Sequence, residues 1–308
     1  MIDVLMATYN GEDTVASQLD SLLAQSHKDW QLILRDDGSQ DRTLRLCHQY
    51  AAKHPDKVRI IEDSFGNLGV NKNYETLLRH SASDYVMFCD QDDMWLPDKI
   101  ALTHAKMLEA ERLFGPEMPI LVYTDLKVAD AKLNVVSDSF LAYTNRKPNT
   151  DSNISAMCMA NCTIGCTMML NKRLRSLVAG FPEGILIWDW WLALVAVTFG
   201  KLVFLNQATI VFRRHNRNTS TVTKFDLLSF VKPKNVIKKH RKDLYAIFEN
   251  HRIFYESFAR SMTPAQQRLF RDISSIPSRN WAMRRYLIFR YRLFKTGWVK
   301  NLGMLLTI

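Results

Sequence analysis

Three carboxylates crowd together in the segment 84–100, DYVMFCDQDDMWLPDKI. Residues 85–89 form an apolar run typical of a buried strand, and Asp90, Asp92 and Asp93 follow it directly. Carboxylates this close repel one another, so the cluster predicts a divalent cation, or a polyanion bridged through one. The simpler alternative is that Asp92 or Asp93 caps a helix opened by Pro97, but a cap needs only one carboxylate.

A second chemical candidate is Asp189, which lies between Trp188 and Trp190 in an otherwise apolar segment. A carboxylate there is costly unless it faces a cleft, and partial desolvation raises the pKa of such a group. A raised pKa suits a general base that works near neutral pH. The alternative is a buried, hydrogen-bonded aspartate with a structural role.

The first 125 residues alternate strand-like and helical patterns, and these elements must position the acidic residues. Repeated βαβ units predict an α/β fold with a mostly parallel, doubly wound sheet. Ligands of such sheets bind at the carboxyl ends of the strands. Strands are predicted at 2–8, 32–34, 58–61, 85–89 and 120–123, and helices at 15–23, 41–53, 71–79 and 97–114.

The pattern changes after residue 125. A hairpin is predicted at 126–136, a polar loop at 141–155 and a strand at 161–170. Helices are predicted at 172–178 and 183–199, and short strands at 202–205 and 210–212. We place a boundary near 219–224, where a basic, aromatic-rich helical segment begins. This gives a domain at 1–220, with halves at 1–125 and 126–220, and a C-terminal helical region at 221–308.

Charge is distributed unevenly along the 308 residues. Residues 213–308 carry 21 Lys and Arg against 5 Asp and Glu, whereas residues 1–212 carry 20 against 26. Basic residues mixed with aromatic and aliphatic ones predict an interfacial amphipathic region on anionic lipid. A solvated helical face and nucleic-acid binding are the alternatives, and we do not favour nucleic acid.

The N-terminal sequence lacks a basic, apolar leader, and no uncharged run reaches the roughly 20 residues that span a bilayer. We therefore expect a cytoplasmic protein that is peripheral on the inner face of the cell membrane. The five cysteines are expected to be reduced. Cys158, Cys162 and Cys166 recur every four residues without completing a zinc pattern, so packing is the default interpretation.

Four stretches, MATYNGE (6–12), RDDGSQDRT (35–43), GNLGVNKNYETLL (66–78) and CDQDDMW (89–95), resemble in order and spacing the inverting enzymes of glycosyltransferase family 2. The resemblance continues through IGCTMML (164–170), WDWWLALVAVTFGKL (188–202) and FRRHN (212–216). It implies a GT-A type, Rossmann-like nucleotide-sugar-binding domain. The DQDDMW and DWWLALVA variants are most similar to bacterial rhamnosyltransferases that build cell-wall or surface polysaccharides on a lipid carrier.

The resemblance implies a nucleotide site after the first two strands. Thr8 and Tyr9 lie in a turn that can present backbone N–H groups and an aromatic edge, and Glu12 is expected near the base or ribose. Asp36 or Asp37 would accept the N3–H of a pyrimidine, and we favour Asp37. On the residues alone, an ordinary strand-to-helix turn is the alternative for the segment from Thr8 to Glu12. The same motifs place the remaining nucleotide-sugar contacts at Asn67, Lys72, Asp90, Gln91, Arg213 and Arg214.

A Mg²⁺ or Mn²⁺ ion is implied at the Asp90-Gln91-Asp92 motif. Asp92 would hold the ion, Asp90 would bind ribose or a metal-bound water, and Asp93 is either a third ligand through water or a helix cap. Arg213 suits diphosphate oxygens, and His215 could complete the metal shell.

Asp189 is the general base that the resemblance implies for an acceptor hydroxyl. Relatives often carry His before this Asp, whereas Trp188 precedes it here. Tryptophans in apolar helices are more often core residues than sugar platforms, and that alternative stays open for both neighbours. Acceptor contacts are expected at Cys166, Thr167, Trp190 and Trp191.

Together these features predict an inverting glycosyltransferase that moves L-rhamnose from dTDP-rhamnose onto a lipid-linked saccharide. One alternative is the same chemistry with a UDP-hexose donor. Another is a catalytically silent subunit that binds glycan or scaffolds a membrane complex. Expected partners are the nucleotide-sugar donor, the lipid-linked acceptor and the membrane surface, with a homo-oligomer also compatible.

Overall fold

A computed structural model describes residues 1–178, 180–215 and 233–308 of the chain. Within these ranges, nine strands form one sheet with helices around it. The strands are β1 (Ile2–Thr8), β2 (Trp30–Asp36), β3 (Val58–Ile60), β4 (Tyr85–Asp90), β5 (Met94–Trp95), β6 (Ile120–Ala129), β7 (Val135–Ser137), β8 (Met168–Asn171) and β9 (Lys201–Arg213).

Most of the helices follow strands in the N-terminal half or collect after β9. They are α1 (Val15–Leu23), α2 (Thr43–Lys53), α3 (Gly69–His80), α4 (Lys99–Phe114), α5 (Phe140–Tyr143), α6 (Ile154–Met159), α7 (Lys172–Leu177), α8 (Trp188–Phe199), α9 (Pro233–Phe258), α10 (Pro264–Ser275), α11 (Trp281–Arg290) and α12 (Trp298–Thr307). Short 3₁₀ turns cover Gly165–Thr167, Ala259–Ser261 and Ile276–Ser278.

The parallel half of the sheet has the order β3-β2-β1-β4. The central residues of β1, β2 and β4 are apolar and buried because both faces of the sheet are covered, as expected for βαβ units. In the register of these strands, Thr8 lies opposite Asp36 and Ala7 lies opposite Asp90. The polar residues that end β1, β2 and β4 are therefore brought to one edge, and the predicted ligand-binding edge is formed.

The other half makes the sheet mixed rather than mostly parallel. β8 inserts antiparallel between β4 and β6, and β7 and β5 pair antiparallel with β6 and β9, whereas β6 and β9 are parallel. The strand predicted at 161–170 is observed as the shorter strand β8, which begins only at Met168 because residues 165–167 form a 3₁₀ turn. The two strands predicted at 202–205 and 210–212 are one long strand, β9, with an irregular register against β6.

Two further predictions differ in their bounds. The segment 141–155, predicted as a loop, holds most of α5 and the start of α6. The helix predicted at 183–199 begins only at Trp188, because Ile187 is still in an extended conformation. The hairpin predicted near 126–136 is present as β6 and β7.

The C-terminal helices pack onto α8, which is buried along nearly its whole length. The ring centroid of Trp191 lies 5.1 Å from that of Phe254 and 5.9 Å from that of Phe258. Leu244, Phe254 and Phe270 belong to the same apolar core as strands β4 and β6. An all-round apolar helix such as α8 is stable only when covered, and α9 and α10 provide that cover.

The predicted boundary at 219–224 lies outside the described residues. In the described ranges, no helix has both the length and the apolar composition needed to cross a bilayer.

Replacing Phe254 with Ala should lower the free energy of unfolding by about 3–5 kcal/mol, because it leaves a cavity among Trp191, Phe258 and Phe270. Phe289→Ala is the matched control, since Phe289 also lies in a C-terminal helix but is 58% exposed. Urea denaturation of both variants measures the difference. Equal losses would show that the C-terminal helices are not part of the core.

Candidate active site

A cavity of about 1900 Å³ opens at the carboxyl ends of β1, β2 and β4 and extends to the C-terminal helices. It gathers residues from segments that are far apart in the sequence. The predicted site residues that line it are Thr8, Tyr9, Glu12, Asp37, Asn67, Asp90, Gln91, Asp92, Asp189, Trp190, Arg213 and His215.

The loop after β1 is tied to the loop after β4 through Gln91. Its side-chain oxygen accepts from Tyr9 N at 2.9 Å, and its Nε2 donates to Tyr9 O at 2.8 Å. A Cβ on Gly11 would lie 2.4 Å from this side chain, so the close approach requires glycine. Gln91 thus holds the two loops together, and Tyr9, 47% exposed, is left open to the cavity.

The two aspartates after β2 have different tasks. Asp36 accepts from Thr8 Oγ1, Gly38 N and Ser39 N, so it shapes the turn, and it does not line the cavity. Asp37 lines the cavity and accepts from Leu68 N and Gly69 N at 2.8 and 2.9 Å. Of the pair, only Asp37 is placed to contact a ligand, which is the choice favoured from the sequence.

Arg35 is a buried cation that sequence analysis missed. Its guanidinium donates to Asp37 Oδ1, to both oxygens of Asp63 and to Gly66 O, at distances of 2.7–3.0 Å. The Arg35 charge lowers the pKa of Asp63. A charged residue directly before two aspartates at a strand end was the available signal. Arg35 joins the β2 loop to residues 63–66, next to Asn67.

Glu12 and Lys72 are both held by ion pairs. Glu12 lines the cavity and accepts from Arg42 Nε at 2.8 Å, which is the main reason why the pKa of Glu12 is lowered. Lys72 instead donates to Glu75 at 2.7 Å and to Phe181 O, outside the cavity wall. Lys72 is therefore removed from the predicted nucleotide contacts.

Asp90, Asp92 and His215 meet at the cavity wall. The Tyr74 hydroxyl donates to Asp90 Oδ1 at 2.8 Å, and His215 Nε2 lies 2.7 Å from Asp92 Oδ2. Burial, and then the charge of Asp92, raises the pKa of Asp90 to about 6. A raised pKa is expected for a carboxylate that is removed from water beside a second negative charge. These oxygen and imidazole groups fit Mg²⁺ or Mn²⁺.

Asp93 lies behind this wall. Asp93 and Cys166 are fully buried, Asp90 is partly buried, and the potential ligand atoms of the three lie within 4.8 Å of one another. Burial and the neighbouring aspartates raise the pKa of Asp93 strongly. Neither Asp93 nor Cys166 lines the cavity, whereas Asp92 and His215 do.

Pairing of β5 with β9 brings the arginines of the FRRHN segment to the aspartates. Arg213 N donates to Asp93 Oδ1 at 3.2 Å, Arg213 Nε donates to Asp92 O at 3.1 Å, and the side chain lines the cavity. Arg214 points elsewhere and donates to the Tyr143 hydroxyl at 2.7 Å. The prediction that Arg214 contacts the nucleotide is therefore wrong for this structure.

Asp189 lies at the first turn of α8 and faces the cavity. Its oxygens accept from Asn161 Nδ2 and Gly165 N, both at 3.2 Å. Burial raises the pKa of Asp189 to about 7, although the N–H groups of Trp190 and Gly165 act in the opposite direction. A carboxylate with this pKa is partly ionised at neutral pH and mostly ionised above it, and its ionised form can accept a proton.

Gly165 also packs closely against Trp188, the residue before Asp189. A Cβ at this position would lie 2.3 Å from the ring of Trp188, which packs on Tyr74 and Phe88. Gly165 lies within the IGCTMML motif. The need for a glycine there comes from Trp188, which lies in a different part of the sequence, so the motif alone does not explain it.

Of the four predicted acceptor contacts, only Trp190 lines the cavity, and its Nε1 donates to Met157 O at 2.8 Å. Trp191 is packed against Phe254, and Cys166 and Thr167 are fully buried. Direct acceptor contact through these last three is excluded in this conformation. Three basic residues at the cavity wall were missed: Arg146, Lys295 and Lys300.

Asp189→Asn should change the pH dependence of stability. With a folded-state pKa raised to about 7, wild-type Asp189 favours folding while protonated, and this stability is lost as pH rises from about 4 to about 7. The Tm of the variant minus that of the wild type should therefore be larger at pH 8 than at pH 4.5.

Asp130→Asn is the control. Hydrogen bonds from Asn134 lower the pKa of Asp130, so the Tm difference between this variant and the wild type should change with pH in the opposite direction. A pH-independent Tm difference for Asp189→Asn would contradict the desolvation of this carboxylate.

The comparison with protein families agrees with the motifs. A model described as glycosyl transferase family 2 matches residues 3–159, about half of the chain. Among curated proteins, the putative glycosyltransferase EpsE of Bacillus subtilis is 39% identical over 100 residues, 32% of this chain and 35% of EpsE. The dTDP-rhamnosyl transferase RfbG of Shigella flexneri is 38% identical over 100 residues, 31% of this chain and 34% of RfbG.

A longer match is the UDP-Glc:alpha-D-GlcNAc-diphosphoundecaprenol beta-1,3-glucosyltransferase WfgD of Escherichia coli, 23% identical over 175 residues, 56% of this chain and 61% of WfgD. The chain thus matches about a third of the length of EpsE and RfbG and under two thirds of WfgD.

Solved structures with this fold include S. aureus TarS 1–349 in complex with UDP-GlcNAc, with a TM-score of 0.58, 16% identity and coverage of 99% of this chain and 79% of TarS. The mannosyltransferase PcManGT of Pyrobaculum calidifontis, in complex with GDP-Man and Mn²⁺, has a TM-score of 0.54, 16% identity and coverage of 99% and 78%. The chain has the α/β fold of GT-A glycosyltransferases and belongs to glycosyltransferase family 2.

Proposed function

We propose that this glycosyltransferase inverts the anomeric configuration of the sugar it transfers, with Asp189 as the general base. One observation carries the proposal: a desolvated carboxylate, Asp189, faces the same cavity as Asp90 and Asp92. The charge of Asp90 contributes to the raised pKa of Asp189, so the two carboxylates are close. A base and a diphosphate-binding end that share one cavity suit a direct displacement at a sugar carbon.

In the proposed step, Asp189 accepts the proton of an acceptor hydroxyl as its oxygen attacks the anomeric carbon. A bond forms between these two atoms, and the bond from the anomeric carbon to the diphosphate oxygen breaks. The bonding electrons leave with the nucleoside diphosphate, and Arg213, which lines the same cavity, would stabilise the added negative charge.

Asp90, Asp92 and His215 would hold Mg²⁺ or Mn²⁺, which would supply Lewis-acid stabilisation of the leaving diphosphate. The fit rests on the carboxylate and imidazole groups that these three residues present together at the cavity wall. A catalytically silent scaffold would have no chemical reason to keep these carboxylates desolvated, so we do not favour that alternative.

For the donor we propose dTDP-rhamnose. Support comes from the likeness to RfbG, which is named a dTDP-rhamnosyl transferase, and from the acidic Asp37 at the cavity, which suits the N3–H of a pyrimidine. A UDP-hexose is the second candidate, because WfgD is named for UDP-Glc, and uracil is also a pyrimidine. The hydrogen-bonding edge that includes N3–H is shared by thymine and uracil, so Asp37 alone does not choose between them.

For the acceptor we propose a saccharide on a membrane lipid. WfgD is named for a diphosphoundecaprenol acceptor. In this protein, large apolar side chains are exposed on the last two helices, α11 and α12. Both helices lie in the strongly basic C-terminal region. These side chains are Trp281, Tyr286 and Phe289 on α11, and Trp298, Leu302 and Leu306 on α12. We propose that this α11–α12 surface lies on the inner leaflet, with 1–220 as the catalytic domain.

Nucleoside diphosphate binding and sugar transfer should respond differently to two variants. Asp92→Asn should weaken Mn²⁺-dependent binding of dTDP at least tenfold, because it removes a ligand charge. Asp189→Asn should leave that binding unchanged while reducing transfer by about 10²–10⁴-fold. Calorimetry with dTDP, UDP and GDP, with and without Mn²⁺, measures the first effect, and a transfer assay with dTDP-rhamnose and UDP-glucose measures the second.

Full turnover by Asp189→Asn would refute the assignment of the base. A preference for UDP over dTDP would replace the rhamnosyl donor by a UDP-hexose. Absence of nucleotide binding in the wild type would refute the enzymatic proposal.

Trp298→Glu/Leu306→Glu should reduce flotation of the protein with anionic phospholipid vesicles at low salt, since both residues, 75% and 77% exposed, would lose apolar contact with lipid. Phe65→Glu/Leu113→Glu is the matched control, because those residues are 67% and 72% exposed but lie outside the C-terminal helices. Equal flotation of both double variants would contradict a membrane role for α12.

A further inference from the structure

The end of the cavity formed by the C-terminal helices carries positive charge. Arg146, Lys295 and Lys300 line it together with the apolar side chains of Leu244 and Met304. The three cations come from the segment after α5, from the loop before α12 and from α12 itself. The described acids of the metal site lie at the strand end of the same cavity, so the cavity is charged oppositely at its two ends.

The basic end is built rather than formed by loose surface chains. Arg146 Nη1 donates to Asn161 O at 3.1 Å, and its guanidinium lies over the Phe140 ring at 5.3 Å. Asn161 is also the residue that donates to Asp189. Arg146 is an exposed residue whose side chain lines the cavity. Arg146 is thus fixed one residue away from the base.

The loop that presents Lys295 is clamped by Asn301. Lys295 N donates to Asn301 Oδ1 at 2.7 Å, and Asn301 Nδ2 donates to Lys295 O and Gly297 O at 2.8 and 3.1 Å. Gly297 has a φ of 96°, which favours glycine. These contacts fix the backbone that carries Lys295, so little order would have to be gained when a ligand binds.

The cations are close enough to repel one another. Burial, and then the charge of Arg146, lowers the pKa of Lys300. Burial also lowers the pKa of Lys295, where the charge of Asp243 acts in the opposite direction and that of Lys300 adds to the lowering. Partly desolvated cations that repel one another form a site for an anion.

Helix α12 separates this site from the apolar surface. Lys300 and Met304, four residues apart, line the cavity, whereas Trp298, Leu302 and Leu306, also spaced by four, are exposed. Residues four apart share a face of a helix, so α12 presents one face to the cavity and another to the outside. A charged group in the cavity would therefore lie within one helix diameter of the proposed membrane surface.

We propose that Arg146, Lys295 and Lys300 bind a phosphate or diphosphate group of the acceptor, beside the hydroxyl that Asp189 activates. The charge of Arg146 acts on Asp189, which is the link between this subsite and the base. The inference rests on the proposed function, and it narrows the acceptor to a saccharide whose lipid is attached through phosphate.

Titration of the full chain with hexyl diphosphate, in EDTA and without nucleotide, tests the subsite. Wild type should bind hexyl diphosphate more tightly than the uncharged hexyl β-glucoside. Lys295→Met/Lys300→Met should weaken binding of hexyl diphosphate at least tenfold, because two charge-assisted contacts are lost. Lys147→Ala is the matched control, since Lys147 is exposed next to Arg146 but does not line the cavity.

Lys300→Arg should restore binding when it replaces Lys300→Met, and the Tm of each variant checks folding. Unchanged affinity in the double Met variant would overturn the proposal. Loss of binding in Asp92→Asn alone would place the diphosphate at the metal site and would also overturn it. Equally tight binding of inorganic pyrophosphate would assign the cluster to a free anion rather than to a lipid-linked acceptor.

Vesicle flotation separates the cavity from the membrane surface. The double Met variant should float with anionic vesicles as the wild type does, because Lys295 and Lys300 line the cavity. Lost flotation with retained hexyl diphosphate binding would assign these lysines to lipid headgroups instead. The titration uses neither metal nor nucleotide, so its outcome is independent of whether Mn²⁺-dependent dTDP binding, which tests the proposed function, succeeds.

Discussion

Electrostatic repulsion among Asp90, Asp92 and Asp93 constrains much of this structure. The three lie at the end of a buried strand, and their partners among the described residues include the Tyr74 hydroxyl, His215 and a backbone N–H. Burial, together with the charges of the neighbouring aspartates, raises the pKa of Asp90 and of Asp93. The pairing of β5 with β9, which carries His215 to Asp92, and the helix α3 that carries Tyr74 both serve this one cluster.

The cavity owes its second half to helices far along the chain. α9 and α10 cover α8 and so keep Asp189 in a desolvated position, and α12 supplies cavity wall on one face and exposed apolar side chains on the other. One cavity thus contains Asp189, whose pKa is raised to about 7, an acidic end and a basic end. The C-terminal region is part of the same apolar core as the sheet, and its stability is coupled to that of the site.

Local sequence determined the alternation of strands and helices in the N-terminal half, because apolar runs and helical spacing are read over a few residues. It also placed carboxylates at the ends of β2 and β4, and the parallel register then necessarily brought them to one edge. Asp92, His215 and Asp189 were identified from motifs, and the fold gathers all three at one cavity. The antiparallel insertion of β8 was missed, since the direction of pairing depends on partners distant in sequence.

Tertiary structure alone decided which side chains of each motif face the ligand. Thr167 and Trp191 lie in motifs yet point into the core, because a helix or turn has a buried and an open side that packing selects. It also decided the basic end of the cavity. Arg146, Lys295 and Lys300 are ordinary basic residues in the sequence, and they become a cluster only because α12 folds back beside the segment after α5. Such long-range contacts leave no periodic pattern in the chain, and so no reading of local sequence contains them.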